Sequence, residues 1–353
     1  MATPVPHKVS LGFLAAYLLA SLSVAPVATP APANGPMEES PDFRSNVNLV
    51  SLYFNVKDER NLAVRQLSKD DFVVTDNGRP QLIRYFSAEA SQPLTLGVLV
   101  DTSIYVKAAI AMEQETAGEF LQQVLRQNDR ACIVAFNHGV FLVQDFTDSA
   151  GTLLSALRKT YGGMGVPSIV GAPDRDRILD GPLGNFGNAH LRDAVAVTAR
   201  KKLSAENGRK AMIVLTDGED DNSRASVETS TRAAQEADAV VYVILFKSTG
   251  ESLRARLARA RATLPPGFFG KPEDLTNLTR QTGGRVIGPG ADRAQMKEAF
   301  AEIAAELHSQ YYIGYTPADA NFDGKFHKIE IRTGNPAYRV QSRTGYYATK
   351  HGN

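Results

Sequence analysis

The stretch Thr95-Leu-Gly-Val-Leu-Val-Asp101-Thr-Ser103-Ile-Tyr105 decides the fold. From Leu96 to Val100 it is apolar or glycine throughout, does not alternate with polar residues, and stops abruptly at a carboxylate. A run of this kind is a strand buried on both faces, and such a strand needs helices above and below it. It reads as a central strand of an α/β sheet. Asp101 and Ser103 then sit at its carboxyl end, where open α/β sheets place their ligand crevice.

Outward from there, residues 94–308 alternate strand and helix patterns. Val106, Ile110, Ala117, Phe120, Leu121 and Val124 recur at helical spacing, and 130–136 and 140–146 flank Asn137-His-Gly139 as a hairpin. Helices follow at 152–158 and 189–203, strands at 211–216 and 239–246 around a helix near 224–237, then helices at 272–281 and 294–308 around a short strand at 284–287. The alternation predicts a doubly wound, mostly parallel sheet. Residues 160–188, rich in glycine and proline, interrupt it as a long loop that overhangs the crevice.

Both flanks read as strands. Residues 47–58 alternate with Val50, Leu52, Phe54 and Val56 on the apolar face; 72–75 and 81–86 flank the hairpin signal Asp76-Asn-Gly78; and 311–316, 326–333 and 338–342 follow the last helix, with Gly345-Tyr-Tyr347 beyond. Three strands in fifty residues bury no core alone. Pairing 45–91 with 309–349 satisfies both sets and predicts an accessory β domain built from both ends of the chain and interrupted by the α/β domain.

At 353 residues, 43% hydrophobic and 22% charged, the chain has material for two domains. The balance of 39 basic to 38 acidic residues, with no run of five like charges, provides no field for nucleic acid or anionic membrane. The single cysteine, Cys132, lies in an apolar run and reads as core. His7 and Lys8 precede an apolar run over 9–22 and an A-x-A-like Ala31-Pro-Ala33, so 1–33 reads as a secretory signal and 34–44 as a linker. The run is shorter than the roughly 20 residues of a membrane span. The expected location is secreted, periplasmic or cell-envelope, with no span after signal cleavage; a retained signal anchor is the alternative.

Three segments resemble a von Willebrand factor type A (VWFA) domain. Asp101-Thr-Ser103-Ile-Tyr105 is similar to the family's first metal-binding segment, D-x-S-x-S, and Met212-Ile-Val-Leu-Thr-Asp217-Gly218-Glu219-Asp220 to its third. Gly187-Asn188-Ala189-His190-Leu191-Arg192-Asp193 stands where the family has Gly-Gly-Thr-x-Leu-x-Asp. The resemblance therefore implies a metal-ion-dependent site at Asp101, Ser103 and Asp217 that is degenerate at Tyr105 and Ala189, two of the five ligand positions. Residues 45–348, with Leu67-Ser-Lys-Asp-Asp-Phe72, Tyr311-Tyr-Ile-Gly-Tyr-Thr-Pro317 and Arg343-Thr-Gly-Tyr-Tyr347, further resemble a bacterial family of secreted VWFA-related proteins.

What this implies is an exported, non-enzymatic protein-binding module of adhesion or scaffold type. Its cofactor is weakly held Mg²⁺ or none, because hard cations need oxygen ligands and two are missing. The partner-binding face is expected at Asn188, His190, Glu219 and Asp220, with Glu219, Asp220 and Asp221 as a solvated acidic rim. Arg192 and His190 are the groups available to relieve repulsion between Asp101 and Asp217. No G-x-S-x-G elbow, H-E-x-x-H pair, P-loop or G-x-G-x-x-G fingerprint occurs. Two other classes stay open: a metal-assisted hydrolase using Asp101, Asp217 and His190, and a structural envelope module. Asp319-Ala-Asn321-Phe-Asp323-Gly324 with Glu330 satisfies the calcium-loop pattern, but strand-like flanks replace the helices that pattern requires, so it reads as a hairpin turn.

Overall fold

Residues of β5 (Leu94–Asp101) are buried along their whole length, and alternate ones enter two separate cores. Leu96, Val98 and Val100 pack with Phe120, Phe300 and Ile303 on one face, while Leu99 packs with Val195, Val214 and Leu278 on the other. This follows from the period of two along a strand. Each fully buried Leu or Val contributes about 1.5–3 kcal/mol over its exposed state. The computed structural model describes residues 49–88, 92–103, 110–137, 139–160, 178–180, 189–220, 223–246, 272–290, 292–318 and 323–348.

In chain order the strands are β1 (Val50–Lys57), β2 (Phe72–Asp76), β3 (Arg79–Gln81), β4 (Tyr85–Ser87), β5, β6 (Arg130–Phe136), β7 (Val140–Thr147), β8 (Ile178–Asp180), β9 (Arg209–Thr216), β10 (Ala239–Phe246), β11 (Val286–Gly290), β12 (Tyr311–Tyr315), β13 (Phe326–Thr333), β14 (Arg339–Gln341) and β15 (Gly345–Tyr347). The helices are α1 (Ile110–Val124), α2 (Ala150–Leu157), α3 (Leu191–Thr198), α4 (Val227–Glu236), α5 (Pro272–Thr282) and α6 (Arg293–His308). The large sheet runs β11-β10-β9-β5-β6-β7-β8. The four pairings from β11 to β6 are parallel, and the β6–β7 hairpin and β8 are antiparallel.

This is the doubly wound α/β sheet expected from the alternation. Several boundaries differ, among them the end of α3 at Thr198, where it passes into a π-helical turn, Ala199–Leu203, and the start of β11 at Val286 rather than 284. Cys132 is fully buried in the second core, and that burial pushes its thiol up to about 12.

The flanking strands form two four-stranded sheets, β14-β1-β12-β4 and β15-β13-β2-β3, around one shared core. Leu52 sits opposite Ile313 and Val74 opposite Ile331, so amino- and carboxyl-terminal strands are direct neighbours in both sheets. Phe54, Phe72 and Tyr311 pack at 5.2–5.6 Å between ring centroids at its centre. Asn77 (φ 49°) and Gly78 (φ 79°) form the two-residue turn between β2 and β3, where left-handed backbone matches the twist of a tight hairpin.

Three expectations need correction. The segment 160–188, read as a loop, contributes β8 to the edge of the large sheet, and 161–177 and 181–188 lie outside the described residues. The segment read as one strand over 81–86 is split: β3 ends at Gln81 in one sheet, and β4 pairs with β12 in the other. The connection containing Asp323 and Gly324 is a crossover between sheets, because β12 pairs with β1 and β4 whereas β13 pairs with β2 and β15. Asp319 and Asn321 lie outside the described residues. Asp323 pairs with Lys325 at 2.8 Å and Glu330 with Arg332.

The β sheets are tied to the α/β domain through Glu306 on α6. It is 5% exposed and accepts hydrogen bonds from Lys57 Nζ at 2.7 Å, Arg285 Nε at 2.7 Å and Gln341 Nε2 at 3.1 Å. Burial alone would raise its pKa, but the bond from Lys57 and the charges of Arg285 and Lys57 outweigh it and hold the carboxyl below its ordinary value. Its contribution to stability is present above the unfolded carboxyl value and is lost as pH falls through the lower folded one. Glu306→Ala leaves two cations facing a buried gap and is expected to cost about 3 kcal/mol at pH 7, as for a broken buried pair. Removing the exposed Glu330–Arg332 pair should cost under about 1 kcal/mol. Urea unfolding of both variants checks this; equal losses would refute the assignment. Deleting 310–353 should expose Val50, Leu52 and Phe54, seen as dye binding, association or proteolysis; a monomeric, protease-resistant product would contradict it.

Candidate functional site

The expected site lies where β5 and β9 end side by side. Their parallel register sets Val100 opposite Leu215, which brings Asp101 abreast of Thr216. Asp101 is 0% exposed. Its Oδ1 accepts the Ser103 N–H at 2.9 Å and its Oδ2 accepts the Thr216 hydroxyl at 2.8 Å. Thr216 Oγ1 in turn accepts the Gly218 N–H at 3.1 Å. Gly218 has φ 87°, in the left-handed region that glycine enters without a Cβ penalty, and so turns the chain sharply after Asp217. Asp217 is half-buried and accepts the Glu219 N–H at 3.1 Å. Burial, then the charge of Asp217, drive the Asp101 carboxyl up to about 7, against the opposing hydrogen bonds from Ser103 and Thr216.

The loop after β5 is pinned to its neighbours by residues that the sequence motifs do not single out. Thr102 donates its N–H and hydroxyl to the Phe136 carbonyl at 2.8 and 3.2 Å. Asn137 Nδ2 donates to Thr102 Oγ1 at 3.1 Å, and the Asn137 carbonyl accepts the His190 N–H at 2.8 Å. Asn137 thereby joins the β5 loop to the start of α3. The signal for these residues is positional: Thr102, Asn137 and Thr216 each stand where an apolar strand gives way to polar sequence.

The second segment provides no oxygen at Ala189, which is fully buried among Leu191, Ala194 and Val195. His190 caps α3 and is 9% exposed, with Nδ1 3.7 Å from Asp193 Oδ2. It is therefore largely withdrawn from solvent at the start of the helix. The Asp193 carboxylate accepts the N–H groups of Arg224 at 3.1 Å and Ala225 at 2.7 Å, fastening the loop before α4.

Asp220 corrects the expectation of a solvated rim. It is 3% exposed, accepts the Ser223 hydroxyl at 2.6 Å and lies 2.5 Å from Arg192 Nε. Burial raises its carboxyl against the opposing Ser223 bond and Arg192 charge. Arg192 is consequently committed to Asp220 and does not relieve the Asp101–Asp217 repulsion; the Ser103 and Thr216 donors and the raised carboxyl do so instead. Glu219 is half-buried, and Tyr105, Asn188 and Asp221 lie outside the described residues.

Structural neighbours of the chain include von Willebrand factor type A domains. A von Willebrand factor type A protein from Catenulispora acidiphila is 12% identical, covering 88% of this chain and 76% of that one, with a TM-score of 0.45. The conserved hypothetical protein BatB from Bacteroides thetaiotaomicron is 14% identical, covering 60% and 98%, with a TM-score of 0.40. The vWF domain of the type V pili tip protein Mfa5 from Porphyromonas gingivalis is 10% identical, covering 60% and 94%, with a TM-score of 0.39. No protein-family model and no curated protein matches the sequence.

Chemically, the described donors are hard oxygens. Asp101, Ser103 and Asp217 lie around one loop junction, and Ser103 Oγ is buried without a hydrogen bond of sound geometry among the described residues. Such a set suits a hard divalent cation with few protein ligands. Among the described residues no three His, Cys, Asp or Glu side chains cluster to hold a metal ion.

The raised Asp101 pKa has a definite sign. The folded state holds the proton more tightly than the unfolded chain, so stability falls as pH rises from about 4 toward 7 and stays reduced above. With a chelator present, Tm of the unmodified protein should drop between pH 5 and 8, and Asp101→Asn should flatten that drop; parallel curves for the two proteins would remove Asp101 as the cause.

Proposed function

We propose that this chain is an exported, non-enzymatic binding protein whose VWFA-type domain meets a protein ligand at the crevice after β5 and β9, with Asp217 and Glu219 at its opening. The observation that carries this reading is the state of Asp101. Both of its carboxylate oxygens are engaged by donors of its own chain, so it ties the loop after β5 to the end of β9. Asp193 and Asp220 likewise fasten loops, which leaves a rigid recognition surface. The exported location rests on the signal-like amino terminus, which lies outside the described residues; none of the described helices is long and apolar enough to cross a membrane.

If a cation binds, Asp101, Ser103 and Asp217 hold it. Mg²⁺ keeps near-octahedral geometry and releases water reluctantly, so three protein positions where the family pattern has five leave it bound mainly through water. Calorimetric titration is expected to give at best about millimolar Mg²⁺ affinity, strengthened by Ala189→Thr with Tyr105→Ser. Micromolar affinity in the unmodified chain, or no gain in the double variant, would refute this arrangement. Screening ester and phosphoester substrates with Mg²⁺ or Mn²⁺ tests the hydrolase reading, and turnover abolished by Asp217→Ala would replace the proposal. Pull-down from envelope extracts should recover a stoichiometric partner that Asp217→Ala or Glu219→Ala weakens.

A further inference from the structure

Two strands of the β domain leave open edges on one groove. Backbone N–H and C=O groups along an antiparallel strand point alternately to one side and the other. On β13 the Lys328 carbonyl accepts the Asn77 N–H at 2.8 Å, while the Ile329 N–H donates to the Thr344 carbonyl at 2.9 Å. The backbone groups of Lys328, Glu330 and Arg332 therefore face β2, and those of Ile329 and Ile331 face the other way. On that side β15 pairs with β13 over Phe326–Lys328, and the Thr344 N–H turns to the Gln281 carbonyl at 3.1 Å, toward α5. Ile331 is left with its N–H and C=O directed at no neighbouring strand.

The same holds on β14. The Val56 carbonyl accepts the Val64 N–H at 2.8 Å, so the backbone groups of Val56 face away from β14, and Val56 and Val340 form a pair of the non-hydrogen-bonded kind. Val340 thus directs its N–H and C=O away from β1, where β14 has no second strand. Ile331 and Val340 both line a groove of about 510 Å³ that reaches from Lys57 on β1 to Arg280 on α5. Ligand clefts are of this order, roughly 300–1,000 Å³.

The groove carries positive charge that the fold does not answer. Lys57 is paired with Glu306 at 2.7 Å, Arg343 with Asp238, and Glu330 with Arg332 at 2.8 Å. Arg339, exposed on β14, makes no ion pair or hydrogen bond among the described residues. Arg280, exposed on α5, meets the neutral Asn277 Oδ1 at 3.2 Å. Two guanidiniums therefore border a stretch of unpaired backbone donors and acceptors.

We propose that this groove receives an extended acidic segment of a protein partner, which adds as a short strand along the open edges of β13 and β14 and sets its carboxylates against Arg339 and Arg280. A strand added to a sheet edge gains main-chain hydrogen bonds, and guanidiniums select carboxylates by paired, charge-assisted ones. Nucleic acid fits less well, because a phosphodiester backbone has no N–H for the carbonyls of Ile331 and Val340. Those two side chains turn into the β core, so Glu330 and Arg339 face outward, and the partner's acidic residues are expected at every second position. This surface is additional to the crevice after β5 and β9.

The test titrates the purified full chain with an acetylated, amidated hexapeptide alternating valine and glutamate, reading heat and the ¹H–¹⁵N backbone signals. Binding is expected to shift the amides of Ile331 and Val340 and to leave that of Gly218, beside Asp217, unmoved. Replacing the peptide's glutamates by glutamine should weaken binding about tenfold, as should Arg339→Met in the protein, since each removes charge-assisted bonds. The same peptide N-methylated throughout should not bind. Arg339→Met, at an exposed position, is expected to unfold in urea like the parent. No binding overturns the proposal, as do unmoved Ile331 and Val340 amides, undiminished binding of the N-methylated peptide or by Arg339→Met, and displacement of the peptide by a single-stranded thymidine oligonucleotide.

Discussion

The constraint on which the structure depends is a strand with no solvent side. Because β5 is buried on both faces, the chain must build a layer of helices on each, and the alternation of Leu96, Val98 and Val100 against Leu99 divides them into two cores. A parallel sheet then requires each connection to cross over, which directs the loops after β5, β6 and β9 to one edge. Asp101 is the one charged residue of β5, and it is held there by donors from the loop after β5 and from the end of β9. The crevice is thus a by-product of the same burial that makes the sheet.

The loops around it are fastened by carboxylates rather than left open. Asp101 takes Ser103 and Thr216, Asp193 takes the backbone before α4, and Asp220 takes Ser223 and Arg192. Buried carboxylates retain their charge only when such donors repay their desolvation. Where the donors fall short, as at Asp101 beside Asp217, the carboxyl rises instead. The same device recurs at Glu306 on α6 and at Asp76 in the accessory β domain, each carboxylate accepting from three partners drawn from other stretches of chain.

Interleaving the two ends of the chain has a mechanical consequence. β1 is paired on both sides by strands that follow α6, so the α/β domain is an insertion whose entry and exit are locked into one β core. Its last helix joins β12 through only Ser309 and Gln310, and Glu306 in that helix binds Lys57 on β1. The exit of the α/β domain toward β12 is therefore held by a short, buried connection.

The sequence by itself determined most of the strands and helices, the α/β class and the partnership of the two flanks. These follow from local periodicity and from the need of an apolar face for a partner, both of which are written in consecutive residues. Only the tertiary structure decided the roles of the charged residues. Arg192, Asp220 and His190 all stand next to loops, and which of them is buried, and against what, depends on how those loops fold over one another. Asp76 and His327 are 251 residues apart and meet because each ends an inward-facing series at the same end of one β core. No window of sequence contains that meeting, since it is created by the register of β2 against β13.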